Sequence, residues 1–182
     1  MNIVSTPFAG LLTLEPKVLG DSRGYFMESY NKETLKGAGI DITFVQDNQS
    51  SSRKGVLRGL RFQNPPYAQT KLVRVLSGSV LDVVVDLRSE EPTFGKYFAI
   101  ELSSENKKQL LVPKGFAHGF IVLSEMAEVF YKCDEFYRPS ADAGINSVDE
   151  ALKIDWRLSS TEFILSDKDK NLPLLKNIKS PF

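Results

Sequence analysis

The chain has 182 residues, 42% of them hydrophobic and 25% charged. That composition predicts a single globular domain over 1–182 and excludes disorder, collagen and simple-repeat fibres. Lys plus Arg and Asp plus Glu both number 23, and this neutral balance argues against a nucleic-acid partner or an anionic membrane surface.

The predicted elements are mainly short strands. In chain order they begin with YFMESY (25–30), a helix over NKETLKGAG (31–39) with an Asn start and a Gly stop, ITFVQDN (42–48) and GVLRGLRF (55–62). TKLVRVL (70–76) and VLDVVVDLR (80–88) flank Ser77, Gly78 and Ser79, and the spacing predicts a hairpin turn. Further strands are expected at 96–102, 109–113, 119–123 and 127–133, then a C-terminal helical segment at about 160–178. Its clearest helix, 166–175, starts at a Ser cap with an acidic first turn. Many strands with peripheral helices predict a mostly β protein, an antiparallel jelly roll or other small barrel with a ligand at its mouth.

Alternation puts Ala127, Val129, Tyr131 and Cys133 on one face of their strand, and Lys71 on the face of Val73 and Val75. An inward phenol and an inward lysine are therefore expected in the interior. Periodicity by itself equally allows a packed tyrosine and a solvated strand-end lysine. The single histidine, His118, and single cysteine, Cys133, exclude a histidine-rich metal site and an internal disulfide. No uncharged apolar run approaches the roughly 18 residues of a membrane span, and no secretory-type start is visible, so a cytoplasmic protein is expected.

DSRGYFMESYN (21–31), FVQDNQS (44–50), GVLRGLRFQ (55–63), KLVRVLSGSVLDVVVDLR (71–88), PTFG (92–95), LLVPKGFAHGF (110–120), EVFYKCDEFYRP (128–139), IDW (154–156) and LSDKD (165–169) occur in this order. With these segments the chain resembles the dTDP-4-dehydrorhamnose 3,5-epimerase family of cupin-like jelly rolls. The resemblance implies a dTDP-4-keto-6-deoxy sugar as substrate, of the dTDP-L-rhamnose type of biosynthesis. It also implies inversion at C3 and C5 beside the ketone without metal or other cofactor, and a homodimer whose N-terminal part reaches the partner's pocket.

By the same resemblance Lys71 stabilises the enolate, Tyr131 donates the proton and Asp169 partners the base. At the base position itself LRGLH reads LRGLR, so Arg61 stands where the family has histidine. A guanidinium stays protonated near neutrality. Arg61 is thus left to pair with Asp169 or bind a substrate oxygen, with Asp169, Tyr131 or a water as base. The alternative function is a sugar-nucleotide-binding homologue with impaired or altered turnover. Binding positions implied by the resemblance are Arg23 and Arg58 for the diphosphate and sugar, and Glu28, Gln46, Asn48, Gln63 and Lys168 as polar contacts. Phe26 and Tyr137 would flank the thymine or neighbouring groups, and His118 would lie beside the sugar or Lys71. Arg58 and Arg61 are three apart and would face opposite sides of a regular strand, so a bulge at Gly59 is expected.

Overall fold

Apolar runs cut by glycine and polar turns form thirteen strands in the computed structural model, which describes residues Met1–Phe182. In chain order they begin with β1 (Asn2–Ser5), β2 (Leu12–Glu15), β3 (Val18–Asp21), β4 (Gly24–Met27), β5 (Gln46–Arg53), β6 (Leu57–Gln63) and β7 (Lys71–Ser77). They continue with β8 (Ser79–Asp86), β9 (Tyr97–Ser103), β10 (Gln109–Val112), β11 (Phe116–Val122), β12 (Met126–Cys133) and β13 (Asp142–Gly144). Two short helices, α1 (Lys32–Gly37) and α2 (Asp167–Lys170), lie at the margins.

Strands β1-β2-β10-β7-β12-β5 make one antiparallel sheet and β13-β6-β11-β8-β9 a second, while β3 and β4 pair only with each other. The two large sheets face one another as a jelly roll. Val73, Val75 and Val129 of the first meet Val80, Val84, Phe116 and Phe120 of the second in the main core. The outer face of the five-stranded sheet is covered as well, Leu81, Val83, Val85 and Ile121 packing with Ile145, Leu152 and Trp156 of the C-terminal segment. Burial on both faces explains why β8 and β11 read as nearly unbroken apolar runs, and each fully buried Val, Leu or Ile there contributes about 1.5–3 kcal/mol.

Four expectations are corrected. Ser77-Gly78-Ser79 does not close a hairpin: β7 pairs with β10 and β12, β8 with β9 and β11, so the turn carries the chain between sheets. Gly78 takes φ +74°, and a Cβ there would lie 2.0 Å from the Met126 carbonyl oxygen, which leaves no room for a side chain. The strand expected at 42–48 begins only at Gln46 and runs through polar QDNQSSSR to Arg53. It is an edge strand, paired with β12 alone, while Ile42 and Phe44 pack on a small outer core around Leu35 and Leu72. The helix expected over 166–175 stops at Lys170, since Pro173 cannot supply an amide hydrogen; one 3₁₀ turn follows at Leu175–Asn177. The earlier helix is present over Lys32–Gly37, with the Asn31 side chain accepting from the Glu33 and Thr34 amides. The strand expected at 25–30 ends at Met27.

Candidate active site

Strand parity delivers side chains to the mouth of the roll from both sheets. From the six-stranded sheet, Lys71 on β7 and Tyr131 on β12 point inward beside Val73 and Val129, with the Lys71 Nζ 5.9 Å from the Tyr131 ring centre. From the five-stranded sheet come Arg58 and Arg61 on β6 and His118 on β11, with Asp82 of β8 sealed behind His118. Opposite β11, the step from His118 to Phe120 is matched by the step from Arg58 to Arg61, so β6 carries one extra residue. Gly59, at φ +108°, makes this bulge, and Gly59 and Gly119 pack backbone on backbone. That extra residue turns Arg58 and Arg61 into the same cavity, as the strand spacing requires.

The cavity is about 270 Å³ and opens into a recess of about 100 Å³ that runs to His118. Arg58, Arg61, Lys71 and Tyr131 line both parts. Arg61 is held in place. Its Nε and Nη2 both reach Asp169 Oδ1 at 2.9 Å, and its Nη1 reaches Asp142 Oδ2 at 3.4 Å. The Ser166 hydroxyl donates to Asp169 Oδ2 at 2.8 Å, and its oxygen caps α2 by accepting the Asp169 amide. Asp142 Oδ2 also accepts from the Tyr137 hydroxyl at 3.3 Å and from the Lys168 ammonium. The Arg61–Asp169 pair expected from the sequence is therefore present, whereas Asp142 drew no attention as a polar residue in a three-residue strand without periodicity.

Burial pushes the Lys71 ammonium below the usual lysine range, opposed by the charges of Cys133, Asp82 and Asp142. Burial pushes the Tyr131 hydroxyl above the usual phenol range, which keeps it a proton donor. The Cys133 thiol is pushed up to about 11, chiefly by burial, and is inert near neutrality. His118 is buried with its Nε2 2.5 Å from Asp82 Oδ1, and Asp82 is fully sealed from solvent. Sequence reasoning missed this partnership; the only signal was an aspartate inside the apolar run VLDVVVD.

The remaining positions divide. Arg58 is exposed at the cavity, its Nε held 3.1 Å from the Ser52 hydroxyl and its outer nitrogens free. Tyr137 and Lys168 stand at the rim. Gln46 and Asn48 flank Tyr131 on β5 but bond to each other, and Gln46 Oε1 accepts the Tyr137 amide. Gln63 lies at the cavity, yet its amide donates to the carbonyls of Tyr67 and Phe136 and its oxygen accepts the Arg138 amide. It is a brace with no polar atom to spare. Arg23, Phe26 and Glu28 are not at this cavity: Arg23 and Phe26 lie on the exposed β3–β4 hairpin, 71% of Phe26 being open to solvent, and Glu28 accepts from Asn31 beside α1.

The family model for dTDP-4-dehydrorhamnose 3,5-epimerase matches residues 5–177. This chain belongs to that family. It is 52% identical over 176 residues, 96% of each chain, to the dTDP-4-dehydrorhamnose 3,5-epimerase of Salmonella typhimurium. Among solved structures it is similar to the epimerase of Elizabethkingia anophelis, with 49% identity, 97% of each chain covered and a TM-score of 0.92. It is equally similar to the Legionella pneumophila dTDP-6-deoxy-D-glucose-3,5-epimerase, solved with dTDP-4-keto-L-rhamnose. There the identity is 48%, the coverage 98% of this chain and 94% of that one, and the TM-score 0.93. No helix is long and apolar enough to cross a membrane.

Proposed function

We propose that this protein inverts C3 and C5 of a dTDP-4-keto-6-deoxy sugar by removing a proton beside the 4-keto group and returning one to the opposite face. The observation that carries this reading is the two-sided cavity, with Lys71 and Tyr131 on one sheet and Arg58, Arg61 and Asp142 on the other. A C–H next to a carbonyl is removed when a cation receives the developing enolate oxygen, and inversion needs proton donor and acceptor on opposite sides. Lys71 supplies the cation and Tyr131 the returning proton. Arg58, anchored by Ser52 with free N–H groups, suits a diphosphate oxygen. Arg61 is a fixed cation in this scheme, bound to two carboxylates.

The same reading includes a homodimer. Arg23 and Phe26 project from a hairpin whose strands pair only with each other, and Arg23 bonds only Asp21 of that hairpin. An exposed aromatic and an arginine on one projecting arm suit the base and phosphates of a nucleotide in a neighbouring subunit. Sedimentation at micromolar concentration is expected to give a dimer, and Phe26→Ala to weaken dTDP binding; a stable monomer that binds dTDP fully would contradict this part.

The locked Arg61 favours a second reading, a sugar-nucleotide-binding homologue without turnover. NMR of the product formed from dTDP-4-keto-6-deoxyglucose decides between them. Inversion at C3 and C5 is expected, and unchanged sugar with tight dTDP binding would favour the second reading.

A further inference from the structure

The proposed reaction needs a base, and each obvious group at the cavity is unsuited to the task. The Arg61 guanidinium has no acceptor atom. Asp169 has both oxygens engaged, Oδ1 by two Arg61 nitrogens and Oδ2 by Ser166. Tyr131 is held as a donor by burial and stands on the same sheet as Lys71. His118 has its Nε2 on Asp82 at the back of the recess.

Asp142 differs. All three of its protein partners, Arg61, Tyr137 and Lys168, bond Oδ2, and Oδ1 has none. Oδ1 is not among the polar atoms sealed from solvent, and the residue lines the cavity. Asp142 lies on β13, paired with Gln63 of β6, which puts it on the five-stranded sheet, across the cavity from Lys71 and Tyr131.

We infer that Asp142 is the base of this protein, its free Oδ1 removing the proton beside the ketone while Arg61 and Lys168 fix the carboxylate through Oδ2. The inference rests on the epimerase reading above. The C3–H bond breaks, its proton passes to Oδ1, and its electron pair forms the C3–C4 double bond as the carbonyl pair moves to the C4 oxygen beside Lys71. The Tyr131 hydroxyl then gives its proton to the opposite face of C3 and the carbonyl reforms. Water takes the proton from Asp142 and returns one to Tyr131, so the cycle is balanced and needs no oxidant or reductant. Carboxylates carry out this step in other enolising enzymes when the enolate oxygen is well held. Arg61 is a positioning residue here, standing where a histidine would itself take the proton.

Solvent-deuterium exchange at C3 of dTDP-4-keto-6-deoxyglucose, with dTDP affinity measured alongside, tests this on the intact protein. Asp142→Asn is expected to lose about 10²- to 10⁴-fold in exchange, the usual worth of a general base, with dTDP affinity changed less than about threefold. In Asp142→Ala, added formate is expected to restore part of the exchange, which a merely structural carboxylate would not permit. Native exchange undiminished in Asp142→Asn overturns the inference and leaves the epimerase reading standing. So does exchange that vanishes in His118→Asn while Asp142→Asn retains it. Loss of dTDP binding together with exchange in both Asp142 variants also overturns it, by making the residue structural. Absence of exchange in the native protein that still binds dTDP overturns the epimerase reading itself.

Discussion

Gly59→Ala should damage stability and site together. The residue sits at φ +108°, and a Cβ there would come 2.6 Å from the His118 carbonyl oxygen and 2.7 Å from the Gly119 Cα. Both contacts are backbone on the central strand β11, so neither can swing away. Positive φ costs an L-residue about 1–2 kcal/mol, and relieving such an overlap costs about 1–3 kcal/mol, giving a loss of about 2–5 kcal/mol. At this chain length that corresponds to a melting temperature lower by roughly 5–20 °C. If the strand relieves the clash by losing its bulge, Arg58 and Arg61 separate to opposite faces, and dTDP affinity falls as well. Urea denaturation read with calorimetric dTDP titration measures both effects. Gly37→Ala is the control, because its Cβ would meet nothing within 4 Å, and it should be neutral or mildly stabilising. A Gly59→Ala protein within about 0.5 kcal/mol of the native one, with unchanged dTDP affinity, would refute the role given to the bulge.

Three further outcomes follow from the same geometry. Asp86 is sealed from solvent; burial alone would raise its carboxyl, but Arg88 and Thr93 hold it below the usual range. Asp86→Asn should therefore cost about 3–5 kcal/mol at neutral pH. Because the native carboxyl titrates lower than in the unfolded chain, its stabilisation is present above the ordinary value of 3.8 and is lost as pH falls through the depressed one; denaturation of both proteins from pH 7 to pH 3 should show the gap closing. Arg58→Ala should weaken dTDP binding by about 1–3 kcal/mol, and an unchanged calorimetric Kd would remove Arg58 from the phosphate site. Turnover requires Lys71 and Tyr131 both protonated, and burial moves Lys71 down from 10.5 and Tyr131 up from 10.0. The alkaline limb of kcat/KM should thus fall below pH 10.5 and report Lys71. A limb that keeps its position in Lys71→Arg would contradict that assignment.

The inward faces of β7 and β12 were legible because valines at two-residue spacing mark the core side, and Lys71 and Tyr131 share that spacing with them. The bulge was legible from a conflict, two arginines three apart and both wanted at one cavity, with a glycine between them. Other features leave no local trace. A turn between two runs of strand formers looks the same whether it closes a hairpin or crosses between sheets, and only the pairing of β7 and β8 with other strands decides it. β5 has no apolar face to read, since its partner β12 covers one edge while Gln46, Asn48 and Ser50 alternate with exposed residues. Asp142 acts through Arg61 and Lys168, 81 and 26 residues away, and Asp82 through His118, 36 residues away, and no short sequence window contains both members of any of these pairs. Gln63 is expected at the ligand only from the family resemblance, and no sequence pattern shows that its amide braces two segments of backbone, one at Tyr67 and one at Phe136 and Arg138.

The central claim is that a site whose expected base is a locked arginine still enolises a 4-keto sugar. Incubating the native protein with dTDP-4-keto-6-deoxyglucose in deuterium oxide and following C3 and C5 by NMR tests it most directly. Enzyme-dependent deuterium entry is expected at both carbons, lost in Lys71→Ala. Saturated binding with no deuterium at either carbon would contradict it.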